Sequence, residues 1–529
     1  MLALASHAPA QRPALRTIGS RPRPAAVHSR TQRPVLQAVR FPQAAGPSEE
    51  VIPAESAPGA GKLMDAQPAA LLWGLAAALG LALCIWRRFT GQAREWREWQ
   101  VCTAIAVPTG TKTLPVETLV AGDVTGVEGV YCSPDSQLAR KVLSAVPALS
   151  RWKHWYQAPN WWGKNGHTHT IIAAKTRSTQ RVQYHRLLLP TPDGGTVALD
   201  RVIRVLPEST KGSHDGVDYV GAPSEEWHRA NWDKPFLLLT SGLGGGSQDP
   251  YVRSMAAAGL ERGFQVGIIN MRGCGESPVT SPRFFSAYRG STDDVRLAVS
   301  HARKHFVQPG SLVAAVGWSN GGTIVNNLLA EQATTFTDPS YHVDAGATLA
   351  CPLDMPGSAA NLKRWFHRNV YDRAIAANLV SHFRAGEHLF ENGDIPTWNG
   401  VDGGTCHIDT EQLLKSKTIW EIDDHLTRKV FGFPSVAHYY AHASSDQRLK
   451  DIQVPLLLVN AIDDPIAPGS GIAYDEVRAN PNLVLAVTEH GGHLGWCNRS
   501  NPWNGPRWTE DIAVSFLARA LDLIKAGEA

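Results

Sequence analysis

A serine stands between two glycines in the run Gly-Trp-Ser-Asn-Gly at residues 317–321, which has the pattern G-x-S-x-G. An apolar run of strand length precedes it, and a helical run follows from Thr323 to Gln332. This strand–turn–helix context is that of a nucleophile elbow, in which a sharp turn lifts the serine hydroxyl above a sheet. We therefore predict that Ser319 is a nucleophile, with a plain turn serine as the alternative.

A serine hydroxyl is a poor nucleophile at neutral pH, so it needs a base, and the base needs an orienting acid. His493 follows two glycines in the run Gly-Gly-His-Leu-Gly-Trp, and we assign it as the base over His490, which lies nearer the preceding strand. Asp464 begins an Asp-x-x-x-Pro pattern directly after an apolar run, and we assign it as the acid. Its neighbour Asp463 is the alternative acid and could instead brace the turn.

Acyl transfer also needs hydrogen-bond donors for the developing oxyanion. The glycine-rich run Ser241–Ser247 follows an apolar run of strand length, and we predict that it presents the backbone N–H of Leu243. The second predicted donor is the backbone N–H of Asn320, next to the nucleophile. A phosphate-binding loop is the alternative, but no Gly-Lys-Ser/Thr follows and the glycines lack the G-x-G-x-x-G spacing.

Short apolar runs recur along the chain without strict alternation, which is typical of strands buried on both faces of a parallel sheet. Helical stretches such as Asp293–Phe306 lie between them, so we predict an α/β fold with a mostly parallel, doubly wound sheet. About a hundred residues interrupt this alternation of strands and helices and contain no clear buried strand, so we predict a helical cap insertion at about 353–450. The predicted strands are 236–240, 266–270, 312–317, 345–350, 455–460 and 483–487.

The N-terminal part of the chain differs in composition from the rest. Residues 1–48 contain arginines but no acidic residue, which predicts a transit peptide, with a disordered basic tail as the alternative. Residues 69–86 carry no charge and precede Arg87 and Arg88, so we predict a transmembrane helix at about 69–88 rather than a buried helix. We expect an organellar membrane protein, with the chloroplast favoured over the mitochondrion and the endoplasmic reticulum as the alternative.

The remaining composition is that of a globular protein. Of 529 residues, 43% are hydrophobic, which is enough for a substantial core, and the net charge of +3 is too small to indicate nucleic-acid binding. No His, Cys or acidic group has metal-ligand spacing, so we expect no metal or cofactor. The pairs His167/His169 and Cys406-His407 are interpreted as structural. We place the main domain at 151–525, leave 89–150 unassigned, and predict no oligomeric state.

Together these motifs resemble a group of the α/β-hydrolase family. The group includes bacterial esterases, plant and algal embryogenesis-associated hydrolase-like proteins, vertebrate membrane-anchored phospholipases, and yeast medium-chain ethyl-ester synthase/esterases. The resemblance runs from about Trp161 to Phe516. It is carried by Asn165-Gly-His167 with Thr170, Val197-Ala-Leu-Asp200, Tyr251-Val252, Asn270-Met-Arg-Gly-Cys-Gly-Glu-Ser-Pro278, Thr292-Asp-Asp294, the run at 317–321, Phe431-Gly-Phe433, His438-Tyr-Tyr440, Asp463-Asp-Pro465 and Gly491-Gly-His-Leu-Gly-Trp496.

The resemblance implies an α/β-hydrolase fold and esterase or lipase activity on acyl lipids or small esters, with the triad on Ser319, Asp464 and His493. It also implies that an alcohol can replace water as the acyl acceptor in some members, and that an N-terminal membrane anchor occurs. One departure is that Ser241 stands where most members have a histidine before the oxyanion glycine. A catalytically inactive, membrane-tethered scaffold with the same fold is the alternative from another class.

Overall fold

The computed structural model describes residues 126–529, except 161, 177–179, 207–215, 392, 399–403, 501 and 503–506. The predicted transit peptide at 1–48 and the predicted transmembrane helix at 69–88 lie outside the described residues. Within the described ranges, none of the helices has the length and apolar character needed to cross a membrane.

Ten of the twelve strands in the described residues form one sheet, in the order β1-β12-β11-β8-β7-β5-β6-β3-β2-β4, and β9 pairs only with β10. The six strands from β12 to β6 in this order run parallel, and β1 and β3 join them antiparallel at either side. The strands are β1 Gly129–Cys132, β2 Arg181–Pro190, β3 Thr196–Leu206, β4 Val217–Tyr219, β5 Phe236–Thr240, β6 Gln265–Asn270, β7 Val313–Trp318, β8 Ala345–Leu349, β9 Ile395–Pro396, β10 Thr405–Cys406, β11 Leu456–Ala461 and β12 Leu483–Thr488.

The six parallel strands are those predicted from the apolar runs, each within one residue of its predicted bounds. This confirms the mostly parallel, doubly wound sheet. Their neighbouring side chains alternate between two buried layers: Leu237 and Leu239 of β5 enter one cluster, while Phe236 and Leu238 enter the other. Because both faces are covered, every residue of these strands is buried, and the sequence shows continuous apolar runs rather than alternation.

Helices cover both faces of the sheet. One apolar layer contains side chains of α1, α6 and α17, and the opposite layer contains side chains of α7, α8 and α16. The α-helices are α1 Gln137–Ala145, α2 Pro147–Ser150, α3 Trp152–Trp155, α4 Gly166–Thr176, α5 Glu225–Asn231, α6 Pro250–Glu261, α7 Ser291–His305, α8 Asn320–Thr334, α9 Met355–Leu362, α10 Trp365–His367, α11 Arg373–Ala385, α12 Thr410–Leu414, α13 Ile419–Ile422, α14 Arg428–Val430, α15 Val436–Ala443, α16 Tyr474–Ala479 and α17 Trp508–Lys525.

The interval between β8 and β11 contains α9 to α15 and the two-residue strands β9 and β10. Its apolar side chains form a third buried cluster, which includes Leu379, Phe383, Leu426 and Tyr440 and also takes in Phe284 from outside the interval. This segment therefore has a small core of its own, separate from the two layers on the sheet. We call it the cap segment.

The sheet begins upstream of residue 151, where the sequence analysis places the start of the domain. Strand β1, Gly129–Cys132, pairs antiparallel with β12 and forms the edge of the sheet. Helix α1 follows, and its side chains Leu138 and Val142 are buried in the first apolar layer. A strand of four residues carries too little pattern to be recognised alone, so this edge was missed within the unassigned segment 89–150.

Candidate active site

Four loops meet at one edge of the sheet, because the carboxyl ends of parallel strands lie on the same side. They follow β5, β7, β11 and β12, and they carry all the residues that the sequence analysis singles out for catalysis. Leu243 follows β5, Ser319 and Asn320 follow β7, Asp464 follows β11, and His493 follows β12.

Ser319 lies between β7 and α8 in a strained backbone conformation. Its φ of 51° and ψ of −122° fall in a region that residues with a side chain rarely occupy. The backbone N–H of Ser319 donates to the carbonyl oxygen of Leu349 at the end of β8, at 2.9 Å, and this bond fixes the turn to the sheet. Helix α8 starts at Asn320, so the positive end of its dipole is next to the serine.

The two glycines of the elbow are required by close backbone contacts. A Cβ atom on Gly317 would lie 2.3 Å from the carbonyl oxygen of Gly321, and one on Gly321 would lie 2.3 Å from the carbonyl oxygens of Thr240 and Ser241. These distances are far below van der Waals contact, so any side chain would push α8 away from β5 and β7. The spacing G-x-S-x-G thus follows from the packing of strand against helix.

The structure brings Ser319, His493 and Asp464 into one hydrogen-bonded chain. The Nε2 atom of His493 lies 2.9 Å from Oγ of Ser319, and its Nδ1 atom lies 2.8 Å and 3.1 Å from the two carboxylate oxygens of Asp464. With the proton on Nδ1 donated to Asp464, Nε2 is free to accept the proton of the serine hydroxyl. This is the arrangement that a general base and its orienting acid need.

The carboxylate of Asp464 is held in place by its own loop. Its Oδ1 atom accepts hydrogen bonds from the backbone N–H groups of Ile466 at 2.7 Å and Ala467 at 2.8 Å. The side chain is buried, so these donors replace the water that would otherwise solvate the charge. The loop therefore fixes the orientation of the carboxylate beside the imidazole ring.

The two alternative residues of the sequence analysis pair with each other instead. Nδ1 of His490 lies 3.1 Å from Oδ2 of Asp463, whose Oδ1 accepts the backbone N–H groups of Gly491 at 3.0 Å and Gly492 at 2.8 Å. Burial lowers the pKa of His490, but the hydrogen bond and charge of Asp463, with the charge of Glu489, outweigh burial and raise it above its ordinary value. Asp463 therefore braces the loop that carries His493.

Thr170 of α4 also positions His493, a role that sequence reasoning did not assign. Its Oγ1 atom accepts the backbone N–H of His493 at 2.8 Å and donates to the carbonyl oxygen of Gly166 at 2.7 Å. Both side chains are buried. The only signal in the sequence was the presence of Thr170 among the motifs of the resemblance, which gave no indication of its partner.

The glycine-rich loop after β5 is held by Asp249 and Tyr251. The hydroxyl of Tyr251 accepts the backbone N–H of Gly242 at 3.0 Å and donates to Oδ2 of Asp249 at 2.9 Å. The same carboxylate oxygen accepts the N–H of Gly246 at 3.1 Å. Burial raises the pKa of Asp249, and the hydrogen bonds from Tyr251 and Gly246 oppose this rise.

Leu243, the predicted oxyanion donor, lies within this braced loop, and the backbone of Gly242 approaches Ser319 closely. A Cβ atom on Gly242 would lie 3.4 Å from Cβ of Ser319. Asn320, the second predicted donor, opens α8, where the first N–H groups have no partner within the helix. The hydroxyl of Ser241 is buried and has no hydrogen-bond partner among the described residues.

A cavity of about 450 Å³ opens onto Ser319 and His493. Its wall is mostly apolar and is formed largely by the cap segment, together with the loop after β5. Apolar lining residues are Leu243, Phe284, Phe285, Met355, Leu362, Ile375, Leu379, Val380, Phe383, Leu413, Ile419, Ile422 and Leu426. Such a cavity can bury a flexible hydrocarbon group beside the serine.

His167 and His169, two other histidines that the sequence analysis names, are hydrogen-bonded to neighbouring groups of the fold. His169 is fully buried between the carbonyl oxygen of Gly163, 2.6 Å from Nε2, and the N–H of Cys497, 3.0 Å from Nδ1. His167 contacts the hydroxyl of Tyr371 at 2.8 Å, and burial lowers its pKa to about 4. In the described part of the chain, no three His, Cys or acidic residues could hold a metal ion together.

The sheet order, the strained serine between strand and helix, and the histidine loop after the last strand define the α/β-hydrolase class. A family model of the α/β-hydrolase fold matches residues 235–496. The chain is 33% identical over 355 residues to the embryogenesis-associated protein EMB8 of Picea glauca, an alignment that covers 67% of this chain and 70% of that protein. The chain belongs to the α/β-hydrolase family.

Two further relatives have names that state an activity. A monoacylglycerol lipase of Saccharomyces cerevisiae is 28% identical over 374 residues, covering 67% of this chain and 78% of the yeast protein. The phospholipase ABHD3 of Mus musculus is 27% identical over 338 residues, covering 64% of this chain and 72% of the mouse protein. The lipase and phospholipase activities in these names are those of the yeast and mouse proteins.

Proposed function

We propose that this protein is a serine hydrolase that cleaves carboxylic esters of acyl lipids through an acyl-enzyme on Ser319. The observation that carries the proposal is the position of His493, with Nε2 at 2.9 Å from the serine hydroxyl and Nδ1 at 2.8 Å from Asp464. An imidazole held between a hydroxyl and a buried carboxylate is a general base for that hydroxyl.

In the first step, Nε2 of His493 takes the proton from Ser319 as Oγ bonds to the ester carbonyl carbon. The carbonyl oxygen gains the negative charge, and the N–H groups of Leu243 and Asn320 stabilise it. Asp464 stabilises the imidazolium that forms. The bond to the alcohol oxygen then breaks, His493 gives its proton to the departing alcohol, and the acyl group remains on Ser319.

In the second step, water takes the place of the alcohol. His493 removes a proton from the water as its oxygen attacks the acyl carbonyl, and the second oxyanion is stabilised by the same donors. The bond to Ser319 breaks, and His493 returns the proton to the serine hydroxyl. The products are a carboxylic acid and the free enzyme.

The choice of acyl lipids has two supports. The cavity beside Ser319 is mostly apolar and has a volume of about 450 Å³, which suits a hydrocarbon chain better than a charged acyl group. The relatives that align with this chain over most of their own length include a monoacylglycerol lipase and a phospholipase. A membrane helix at 69–88 would keep the enzyme next to such substrates; this anchor, the transit peptide and an organellar location are part of the proposal.

Two other outcomes follow from the same site. If an alcohol enters in place of water, the enzyme is an acyltransferase, as in the ethyl-ester synthases of the group that the chain resembles. If the site does not react, the protein is an inactive scaffold. Product analysis with and without an added short alcohol separates hydrolysis from transfer.

The direct test is labelling of the full-length protein with a fluorophosphonate, which reacts with activated serines. We expect labelling of the parent and of Ser358→Ala, which changes another serine of the cavity wall, and no labelling of Ser319→Ala. Hydrolysis of medium-chain ethyl esters and monoacylglycerols should show the same pattern. A folded parent that takes no label would favour the scaffold.

A further inference from the structure

One helical face of the cap segment contributes two polar side chains, among apolar ones, to the cavity wall. The lining residues from this face are Ile419, Ile422, Asp423, Leu426 and Thr427. Ile422 and Asp423 stand three and four positions after Ile419, and Leu426 and Thr427 stand four positions after these two, so all five lie on the same side of a helix. Asp423 is one of two carboxylates in the cavity wall, and the other, Asp249, belongs to the braced loop after β5.

The turn that carries these polar residues is unusual. Asp423–Thr427 is a π-helical turn inserted between α13 and α14, and such turns are often found at functional sites. The next residue, Asp424, lies off the cavity wall and pairs with Arg428. The widened turn is thus the part of the helix that brings Asp423 and Thr427 to the wall.

Asp423 has hydroxyl partners and no cationic partner. The hydroxyl of Tyr440 donates to its Oδ2 at 2.7 Å, and Thr427 also hydrogen-bonds to the carboxyl. In the described part of the chain, Asp423 makes no ion pair, and the charge that acts on its carboxyl is that of another acid, Asp372. Burial raises the pKa of Asp423 to about 6, and Asp372 adds to the rise.

A carboxyl group in a mostly apolar wall is costly unless its oxygens are hydrogen-bonded. The two oxygens of a carboxyl offer about four acceptor positions, and the two hydroxyls use only part of them. Thr427 and Tyr440 also face the cavity, and each hydroxyl oxygen can accept a further hydrogen bond. The cluster therefore has hydrogen-bonding capacity directed at whatever fills the cavity.

We propose that Asp423, Thr427 and Tyr440 form a polar subsite that binds a hydroxyl group of the substrate, away from the ester that Ser319 attacks. This inference rests on the proposed function. A hydroxyl suits the cluster because it can donate to the carboxyl and accept from a neighbouring hydroxyl at once. An ammonium group would have to give up its strongly bound water for a cluster that contains one carboxyl, that of Asp423, and this desolvation penalty disfavours it.

The hydroxyl can come from either half of the ester. It can be carried by the acyl chain, as in a hydroxylated fatty acid, or by the alcohol half, as in a glycerol ester. The test therefore compares three substrates of equal acyl length: an unsubstituted medium-chain ethyl ester, the matching ω-hydroxy ethyl ester, and the matching monoacylglycerol. An ω-amino ethyl ester is the fourth substrate.

The variants are Asp423→Leu and Asp423→Asn in the full-length protein, with Asp424→Asn as the control. Asp424 is the adjacent acid on the same turn; it pairs with Arg428 and does not line the cavity. For Asp423→Leu, kcat/KM for the preferred hydroxyl-bearing ester should fall by roughly 10- to 100-fold relative to the unsubstituted ester, as expected for a lost hydrogen bond to a charged group. Asp423→Asn keeps the shape and should fall less.

The ratio of two kcat/KM values on one protein does not depend on how much of it is folded, so it separates recognition from stability. A selective fall for the ω-hydroxy ester or for the monoacylglycerol supports the subsite and identifies the source of the hydroxyl. An equal fall for all substrates, an equally selective fall in Asp424→Asn, or a larger selective loss for the amino ester overturns it. If the parent hydrolyses esters and is labelled on Ser319, but the Asp423 variants keep the parent's ratios of kcat/KM between substrates, only the subsite is rejected. If the parent neither hydrolyses esters nor takes the label, the proposed function is rejected, and the subsite with it.

Discussion

Thr170 and His493 are 323 positions apart in the chain, yet Oγ1 of Thr170 accepts the backbone N–H of His493 at 2.8 Å. The hydrogen bond fixes the loop of the proposed base to α4, which precedes the first long strand. The imidazole is thus held from two sides: its ring by Asp464, and its backbone by an element far upstream.

Thr170→Val should lower kcat while leaving KM nearly unchanged. Valine has the shape of threonine but no acceptor, so the buried N–H of His493 loses its partner at a cost of about 1–3 kcal/mol. If the loop that carries His493 shifts in response, the imidazole moves away from Ser319 and kcat falls by about 10-fold or more. Steady-state kinetics on a medium-chain ester measures this, and Thr170→Ser, which keeps the hydroxyl, is the control. Equal kcat for the valine and serine variants would contradict the role.

Asp464→Asn should reduce kcat by about 10³-fold or more, while Asp463→Asn should reduce it much less. In Ser-His-Asp triads, replacing the acid by an amide lowers kcat by about 10⁴-fold, because the histidine is then held in the wrong tautomer. Asp463 supports the loop only through His490, Gly491 and Gly492, so its variant keeps the tautomer of His493. Kinetics of both variants decides the assignment, and the reverse order of losses would make Asp463 the acid.

Tyr251→Phe should impair catalysis through the loop that holds Leu243. The change removes the acceptor of the Gly242 N–H and a donor to Asp249, so the loop loses the bonds that set its distance from Ser319. We expect kcat to fall by about 10-fold, in line with one unpaired buried N–H. Labelling of Ser319 by fluorophosphonate should slow in parallel. Tyr131→Phe is the control, because its hydroxyl donates to the carbonyl of Val127, outside the four loops of the site. A normal rate in Tyr251→Phe would show that the loop is held by other contacts.

Ser241→Ala should leave activity nearly unchanged and should not destabilise the protein. The hydroxyl of Ser241 is buried without a hydrogen-bond partner among the described residues, so its removal ends a desolvation cost rather than a bond. Urea unfolding and ester kinetics measure the two quantities. Because Ser241 stands where most members of the resembled group have histidine, a large loss of kcat in the alanine variant would show that the hydroxyl takes part in the reaction.

His490 should make the free energy of unfolding depend on pH. The pKa of His490 is raised in the folded state by Asp463 and Glu489, against an ordinary unfolded value of about 6.5. Its stabilising contribution is fully present below about pH 6.5 and is lost as pH rises through the folded pKa. Urea unfolding at about pH 6 and about pH 9 should therefore show a larger difference between parent and His490→Gln at the lower pH. The exposed His154→Gln is the control, and a difference that grows with pH would contradict the ion pair.

Much of the fold could be predicted because its signals are local. A strand covered on both faces is a continuous apolar run, which is why the six parallel strands were found to within one residue. The elbow is also local: the two glycines are needed because strand and helix meet within five residues, at 2.3 Å from any added Cβ. Since parallel strands end on the same side, the order of the chain alone indicated that Ser319, Asp464 and His493 would meet.

Other features depend on packing between distant elements, and no local pattern encodes them. Strand β1 has four residues and is recognisable only through its pairing with β12. The bonds of Thr170 to His493, Tyr251 to Gly242 and Tyr440 to Asp423 join side chains whose own surroundings in the sequence are ordinary. The sequence by itself determined the six parallel strands, the elbow and the types of residue at the site. Only the tertiary structure decided which acid faces His493 and which polar groups face the cavity, because a hydrogen bond depends on distance and angle after packing.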